Sequence, residues 1–189
     1  MGTVQTTVIA IFMASFYRSF LTFSETLKRN TERNIILRTA ESSIHIGNSI
    51  KSLINQIDGM ICRTEIRSMK WREQEPVLNL ECKRCGFESI QVAAPDGKAK
   101  STMGYEENLK DKDCFKAINN ETYISEPIVR DYDGKTVVLF SAPIQDKDDR
   151  VVGVLVAHMD IQFLFNIMQN MRLEEIGYGF IINREGKLL

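Results

Sequence analysis

Four cysteines are the first candidates for chemistry in this chain: Cys62, Cys82, Cys85 and Cys114. Cys82 and Cys85 form one C-x-x-C pair inside Glu81-Cys82-Lys83-Arg84-Cys85-Gly86. A zinc ribbon needs a second pair at matching spacing, and Cys62 with Cys114 does not provide it. No helix-opening context follows the pair, so a thioredoxin-like redox role is not expected either. The expectation is incidental, partly buried thiols; in an extracytoplasmic setting a disulfide could form, with its pairing left open. The only histidines, His45 and His158, lie far from the cysteines in sequence. Gly-x-Ser-x-Gly, Walker and His-Glu-x-x-His patterns are all missing. Asp131 with Asp133, and Asp146 with Asp148 and Asp149, fall in turn-like segments and read as solvated loops. A calcium site would need a longer series of ligands at its own spacing. The chain is therefore expected to be no enzyme and to hold no metal or cofactor.

The elements that could position a site come next. The 189 residues carry 24 Lys and Arg against 25 Asp and Glu, a net charge of −1. That balance offers neither the basic footprint of a nucleic-acid binder nor an acidic disordered tail. The length has room for one domain of ordinary size with additional segments.

Residues 1–17 contain no charge, and Val8-Ile9-Ala10-Ile11-Phe12-Met13-Ala14 is strongly apolar. A full span needs about 20 apolar residues, and this stretch is shorter and interrupted by Thr3, Gln5, Thr6 and Thr7. It lacks the basic start and small-residue cleavage site of a secretory signal. Residues 1–23 are expected to be a truncated transmembrane segment with Arg18 at the interface; the other reading is an amphipathic or core helix. One observation opposes the first: Arg18, Lys28, Arg29 and Arg33 all follow the apolar run, which by the positive-inside rule places the rest in the cytoplasm. That rule compares two flanks, and only one is present.

From Glu25 to about Ile61 there is no proline. Ile36, Ala40, Ile44, Gly47, Ile50, Ile54, Ile57 and Ile61 recur every three or four residues, the stripe of one long helix. A stripe of that length is expected to pack partly on a sheet and partly against a partner helix. After Trp71 the period changes. Ser89–Ala94 reads as a strand, Pro95-Asp96-Gly97-Lys98 as a turn and Ala99–Met103 as the returning strand. Leu109–Asn119 suits a short helix, and Asn119-Asn120 punctuates the chain before Tyr123. Thr136–Ala142 and Val151–Ala157 read as strands joined by the Asp146-Lys147-Asp148-Asp149 turn, with a helix from Ile161 to Met171. The order predicts an α+β fold: a long N-terminal helix, then a PAS-like antiparallel sheet lobe with helices. Phe180-Ile181-Ile182-Asn183-Arg184-Glu185-Gly186-Lys187 echoes Ile90–Lys98, 89 positions later by the two glycines, and predicts the start of a second lobe. The expected segments are residues 1–23, the helix region 24–70, the lobe 71–165, and 166–189 with a connecting helix and the first hairpin of the next lobe.

These residues carry a resemblance. Gly86-Phe87-Glu88-Ser89-Ile90-Gln91-Val92 followed by Asp96-Gly97-Lys98 resembles the first hairpin of double Cache sensor domains. Asp111-Lys112-Asp113-Cys114-Phe115-Lys116-Ala117 is similar to that family's Asp-Arg-x-Tyr-Phe-x-x-Ala segment, with Lys112 and Cys114 as departures. Ile124-Ser125-Glu126-Pro127, Ser141-Ala142-Pro143-Ile144 and Val152-Gly153-Val154-Leu155 with Asp160 continue it, and Gly177–Gly186 resembles the opening of the membrane-proximal lobe. The likeness covers about residues 31–189. It implies the extracellular or periplasmic part of a membrane receptor, dimeric through its long helix, binding a small molecule in the distal lobe and signalling to an output such as a chemotaxis domain, histidine kinase or diguanylate cyclase.

On the matched positions the resemblance implies ligand-binding roles for Lys112, Cys114, Phe115, Phe140, Ser141 and Asp160. In the family's amino-acid-binding branch Lys112 would be arginine, Cys114 tryptophan and Phe115 tyrosine; Asp160 is retained. Lysine offers a point charge where a guanidinium would clamp a carboxylate with two bonds, so a standard amino-acid receptor is not expected. Each candidate also has a plainer role: Phe115 and Phe140 as core, Asp160 as a helix cap, Ser141 as an edge residue, His158 as a satisfied structural histidine. The rival readings are a cytoplasmic PAS-like interaction or dimerisation module without ligand, and a ligand-free spacer.

Overall fold

The computed structural model of the chain describes residues 2–130 and 133–169. The expected second-lobe hairpin, the Phe180–Lys187 echo and Asp131 lie outside those residues. Within them, the proline-free N-terminal third forms one uninterrupted helix, α1 (Gly2–Ile61), roughly 90 Å long at 1.5 Å per residue. On its exposed stretch the hydroxyls of Thr22, Thr26, Thr39 and Ser42 each donate to the carbonyl four residues earlier. These side chains therefore satisfy themselves without a tertiary partner. The expected apolar stripe divides in two. Leu53, Ile57 and Met60 are buried with Ile50, Ile54 and Ile61 beside them, whereas Ile36 and Ile44 are exposed. No described helix is long and apolar enough to cross a membrane.

Two further helices follow, α2 (Thr64–Arg67) and α3 (Trp71–Cys85). The second is absent from the sequence reading, which placed the change of period at its start. Its buried positions are Gln74, Leu78 and Glu81, a spacing of four and three that marks one helix face. Two of those three residues are polar, which conceals the stripe. Gln74 Nε2 donates to the Ile66 carbonyl at 2.8 Å and so ties α3 to α2. The Glu81 carboxylate, 1% exposed, receives Arg63 from the α1–α2 corner and Arg84 from its own helix, both at 2.6 Å. Gly86 closes α3 in the left-handed region, its N–H donating to the Cys82 carbonyl.

A seven-stranded antiparallel sheet follows: β1 (Ser89–Ala93), β2 (Lys98–Ser101), β3 (Glu106–Asn108), β4 (Tyr123–Ile124), β5 (Ile128–Val129), β6 (Thr136–Gln145) and β7 (Val151–Asp160). The spatial order is β3-β2-β1-β7-β6-β4, with β5 also paired to β6. The expected hairpins are present: β1 with β2, and β6 with β7 in register from Val137↔Asp160 to Ile144↔Gly153. In the first turn Gly97 sits at φ +89°, and a Cβ there would lie 2.6 Å from Asn108 Oδ1. Only glycine fits that position. The expected helix over Leu109–Asn119 is a 3-10 helix confined to Asp113–Asn119, and α4 (Gln162–Gln169) follows β7.

The central strands are buried on both faces. Ile90, Val92, Val138, Phe140, Ala142, Ile144, Leu155, Ala157 and Met159 point toward α1, α2 and α3. Ala93, Val137, Leu139, Val154 and Val156 point the other way, toward Leu109 and toward Cys114, Phe115 and Ala117 of the 3-10 helix. Near-continuous apolar runs in β6 and β7, broken at Ser141 and His158, are what burial on both faces leads one to expect.

The Glu81 cluster yields a test of what joins the helices. Removing both arginines strands a buried carboxylate, whereas Arg63 and Arg84, at 42% and 59% exposed, can turn into water if Glu81 is lost. The double variant Arg63→Ala/Arg84→Ala is expected to lose about 3 kcal/mol and Glu81→Met less than half of that, read by urea unfolding.

Candidate ligand-binding site

Strand parity decides what can face the 3-10 helix. Successive residues of a strand point to opposite faces, and directly paired residues share one. On the 3-10 side, Ser89 lies opposite His158, which lies opposite Leu139. One step along, Ser101, Gln91, Val156, Ser141 and Tyr123 form a continuous row across five strands. His158 is thus diagonal to both Gln91 and Ser141, within reach of a shared small molecule.

This face holds buried polar atoms that lack protein partners. Ser89 Oγ, Gln91 Oε1, Ser141 Oγ and both ring nitrogens of His158 have no hydrogen-bond partner among the described residues. Such groups are rare in a folded interior because each forfeits its hydration. Four on one sheet face, beneath a cap, are complementary to something that donates and accepts hydrogen bonds. Gln91 is oriented by donating its Nε2 to Tyr105 Oη and to Glu107 Oε1, both at 2.7 Å. That arrangement turns the free carbonyl oxygen away from the carboxylate.

Charged groups surround the row in pairs. Lys112, at the start of the 3-10 helix, is ion-paired with Glu107 of β3. Arg130 is paired with Glu88 and, at 2.5 Å, with Asp133; Lys135 meets Glu88 at 2.5 Å. Burial first, then the Arg130 and Lys112 cations, hold the His158 imidazolium down to about 4 from an ordinary 6.5, against the opposing pull of Glu107 and Glu88. His158 is therefore neutral at neutral pH.

The structure brings only part of the expected set together. Ser141 lies on the 3-10 face, fully buried; it is no edge residue, because β6 is paired on both sides. Lys112 and Asp160 flank the row, and Asp160 Oδ1 accepts the Gln162 N–H at 2.7 Å as a cap for α4. Cys114 and Phe115 are buried in the apolar cluster under the 3-10 helix. Burial pushes the Cys114 thiol up to about 11, so it is no nucleophile at neutral pH. Phe140 is on the opposite face, packed among the residues facing α1, one position out of phase with Ser141. Sequence reasoning passed over Ser89 and Gln91 and treated His158 as a satisfied histidine, which it is not. The Ser89-Ile90-Gln91-Val92 alternation carried the signal, but a polar strand face is ordinarily a wet one. Cys82 and Cys85 lie on α3, all four cysteines carry free thiols, and no metal-holding group occurs among the described residues.

The neutral imidazole has a consequence for acid stability. Its folded pKa lies below the unfolded value, so below pH 6.5 the unfolded chain takes up a proton that the folded chain refuses. The stability present above pH 6.5 is lost as pH falls toward 4, a gap worth roughly 3 kcal/mol. His158→Leu is expected to remove this part of the acid sensitivity in urea titrations at about pH 7.5 and pH 4.5. Identical slopes for both proteins would refute it.

The comparisons with known proteins fit this geometry. No curated protein matches the chain. Among solved structures, the sensory domain of the Campylobacter jejuni chemoreceptor Tlp3 with isoleucine bound aligns at TM-score 0.62 and 16% identity, over 88% of this chain and 70% of that one. The ligand-binding domain of the Pseudomonas fluorescens chemoreceptor CtaA, in complex with L-serine, aligns at 0.66 and 16% identity over 78% and 66%. That of the Pseudomonas aeruginosa receptor PctC, in complex with GABA, aligns at 0.66 and 15% over 78% and 69%. These likenesses establish the α+β fold. The family model described as Cache domain matches residues 17–189, and on that match the chain belongs to the Cache domain family.

Proposed function

We propose that the chain is the small-molecule-sensing part of a transmembrane receptor, a chemoreceptor first among the possible kinds, with its ligand held between the sheet and the 3-10 helix. The observation that carries this reading is the row of buried polar atoms without partners: Ser89, Gln91, Ser141 and His158. A domain that served only as a spacer would gain stability by making these positions apolar, because an unsatisfied buried group costs about 1–3 kcal/mol. Retaining them makes sense if a ligand supplies the missing bonds. The structurally similar Tlp3, CtaA and PctC domains, which carry isoleucine, L-serine and GABA, support the same assignment. Of the six residues expected from the resemblance, Ser141 would touch the ligand directly, with Lys112 and Asp160 at the rim. Cys114 and Phe115 would form the roof, and Phe140 supports the sheet from behind.

The lobe would lie outside the cytoplasm, and the apolar run at residues 8–14 supports attachment to a membrane at that end. The exposed upper half of α1 supports a homodimer through this helix. Phe16 is 74% exposed and Ile36 68%, on a rod that outruns its own lobe. A second copy of the same helix presents a matching stripe along the same length.

Two outcomes are expected. In thermal unfolding of the 189-residue chain with small metabolites, a ligand near 100 times its dissociation constant should raise the midpoint by roughly 5–10 °C. Ser141→Val and His158→Leu should lose that rise while leaving the free protein at least as stable. A full response retained by both variants would move the site elsewhere, and a flat response to every compound would favour the ligand-free module. In light scattering the chain should be dimeric and Ile36→Lys/Ile44→Lys monomeric; equal masses would remove α1 from the interface.

A further inference from the structure

The orphaned groups and the charges on the 3-10 face differ in kind, and that difference discriminates between ligands. Every described cation there already has a carboxylate. Lys112 is held by Glu107, Arg130 by Glu88 and Asp133, and Lys135 by Glu88. The remaining acid, Asp160, uses one oxygen as the cap of α4. On the strands, what lacks partners is uncharged: two hydroxyls, one amide carbonyl and one imidazole; Arg130 Nη1 also makes no hydrogen bond, on a guanidinium already ion-paired with Glu88 and Asp133.

Resting on the sensor reading above, we infer that the ligand is an uncharged small molecule with interleaved hydrogen-bond donors and acceptors, of the nucleobase or polyol kind, and not a carboxylate-bearing metabolite. Gln91 Oε1 can only accept, so the ligand must donate to it. Neutral His158 offers one donor and one acceptor, and the hydroxyls of Ser89 and Ser141 adapt to either. A carboxylate would find Lys112, Arg130 and Lys135 each already ion-paired with an acid. To recruit Lys112 it would displace Glu107, which would then keep only the Gln91 amide of the partners described here. Arg130, 6% exposed and held by two acids, is harder still to divert. A neutral ligand displaces none of these pairs and can meet the unpartnered groups of Ser89, Gln91, Ser141 and His158. Tyr123 ends the row beside Ser141 and the Tyr105 hydroxyl meets Gln91, which suits a flat or ring-shaped body between the two rings.

Calorimetric titration of the 189-residue chain with three sets of probes tests the inference: uncharged (adenine, uracil, ribose, glycerol), zwitterionic (L-serine, L-isoleucine, GABA) and anionic (malate, pyruvate). An uncharged probe is expected to bind. Gln91→Ala and Ser141→Ala should each weaken it roughly tenfold, and Lys112→Ala by less than about twofold. Its affinity should also stay within about twofold between pH 6 and pH 8, since neither ligand nor His158 changes charge there. The charged groups facing that imidazole are Arg130, Glu107, Lys112 and Glu88. Binding confined to zwitterionic or anionic probes and abolished by Lys112→Ala would overturn the ligand class while leaving the sensor reading intact. Silence from all three sets overturns the inference, and the sensor reading falls with it only if the wider metabolite screen is also flat.

Discussion

The paired strands β6 and β7 lie at the middle of the sheet with side chains buried on both faces, and almost everything else in the lobe follows from covering them. One face meets α1, α2 and α3 through a large apolar cluster. The other cannot be covered in the same way, because Ser141 and His158 occupy it beside Gln91 and Ser89 of β1. A buried strand pair normally tolerates no such groups without partners. The 3-10 helix Asp113–Asn119 seals the apolar part with Cys114, Phe115 and Ala117, and the polar part remains as a region of unmet hydrogen bonds. The larger apolar cluster thus lies on the helix side of the sheet and the unpartnered strand groups on the other.

Electrostatics around that polar row follow the same division. The charged side chains are arranged so that each cancels a neighbour: Lys112 with Glu107, and Arg130 with Glu88 and Asp133. The pairs tie Lys112, ahead of the 3-10 helix, to β3, and Arg130 and Lys135 to Glu88, ahead of β1. They also set the field at His158, where two cations and burial outweigh two carboxylates. A neutral imidazole keeps one nitrogen as donor and the other as acceptor, a directional pattern that an imidazolium, with two donors, would lose.

Much of this was legible in the sequence. The apolar stripe located the 25–61 part of α1, and strand runs bounded by turn residues located both hairpins and the helix after β7. Helix α3 was not legible: its buried face is Gln74, Leu78 and Glu81, so the stripe is real but mostly polar, and Pro76 stands within it. The short β3 and β5 owe their pairing to neighbours, not to any pattern of their own. In the site, consecutive strand residues Phe140 and Ser141 could never have shared a face, and parity would have separated them. What no sequence rule supplies is that His158 lacks partners, since that depends on which side chains the fold leaves opposite it.

The unbroken course of α1 carries a mechanical consequence. A helix with every backbone bond made internally is stiff, so the segment near Ile57 that packs on the sheet and the segment near Met13 are ends of one lever about 65 Å apart. A shift in the lobe that turns α1 about its axis arrives at the far end as the same turn, with no joint in between to absorb it. A tilt is different: one degree at the lobe becomes a sideways displacement of roughly 1 Å at Met13. Small rearrangements beneath the 3-10 helix would thus be read out at a distance by geometry alone, provided they reach the apolar contact that grips the rod.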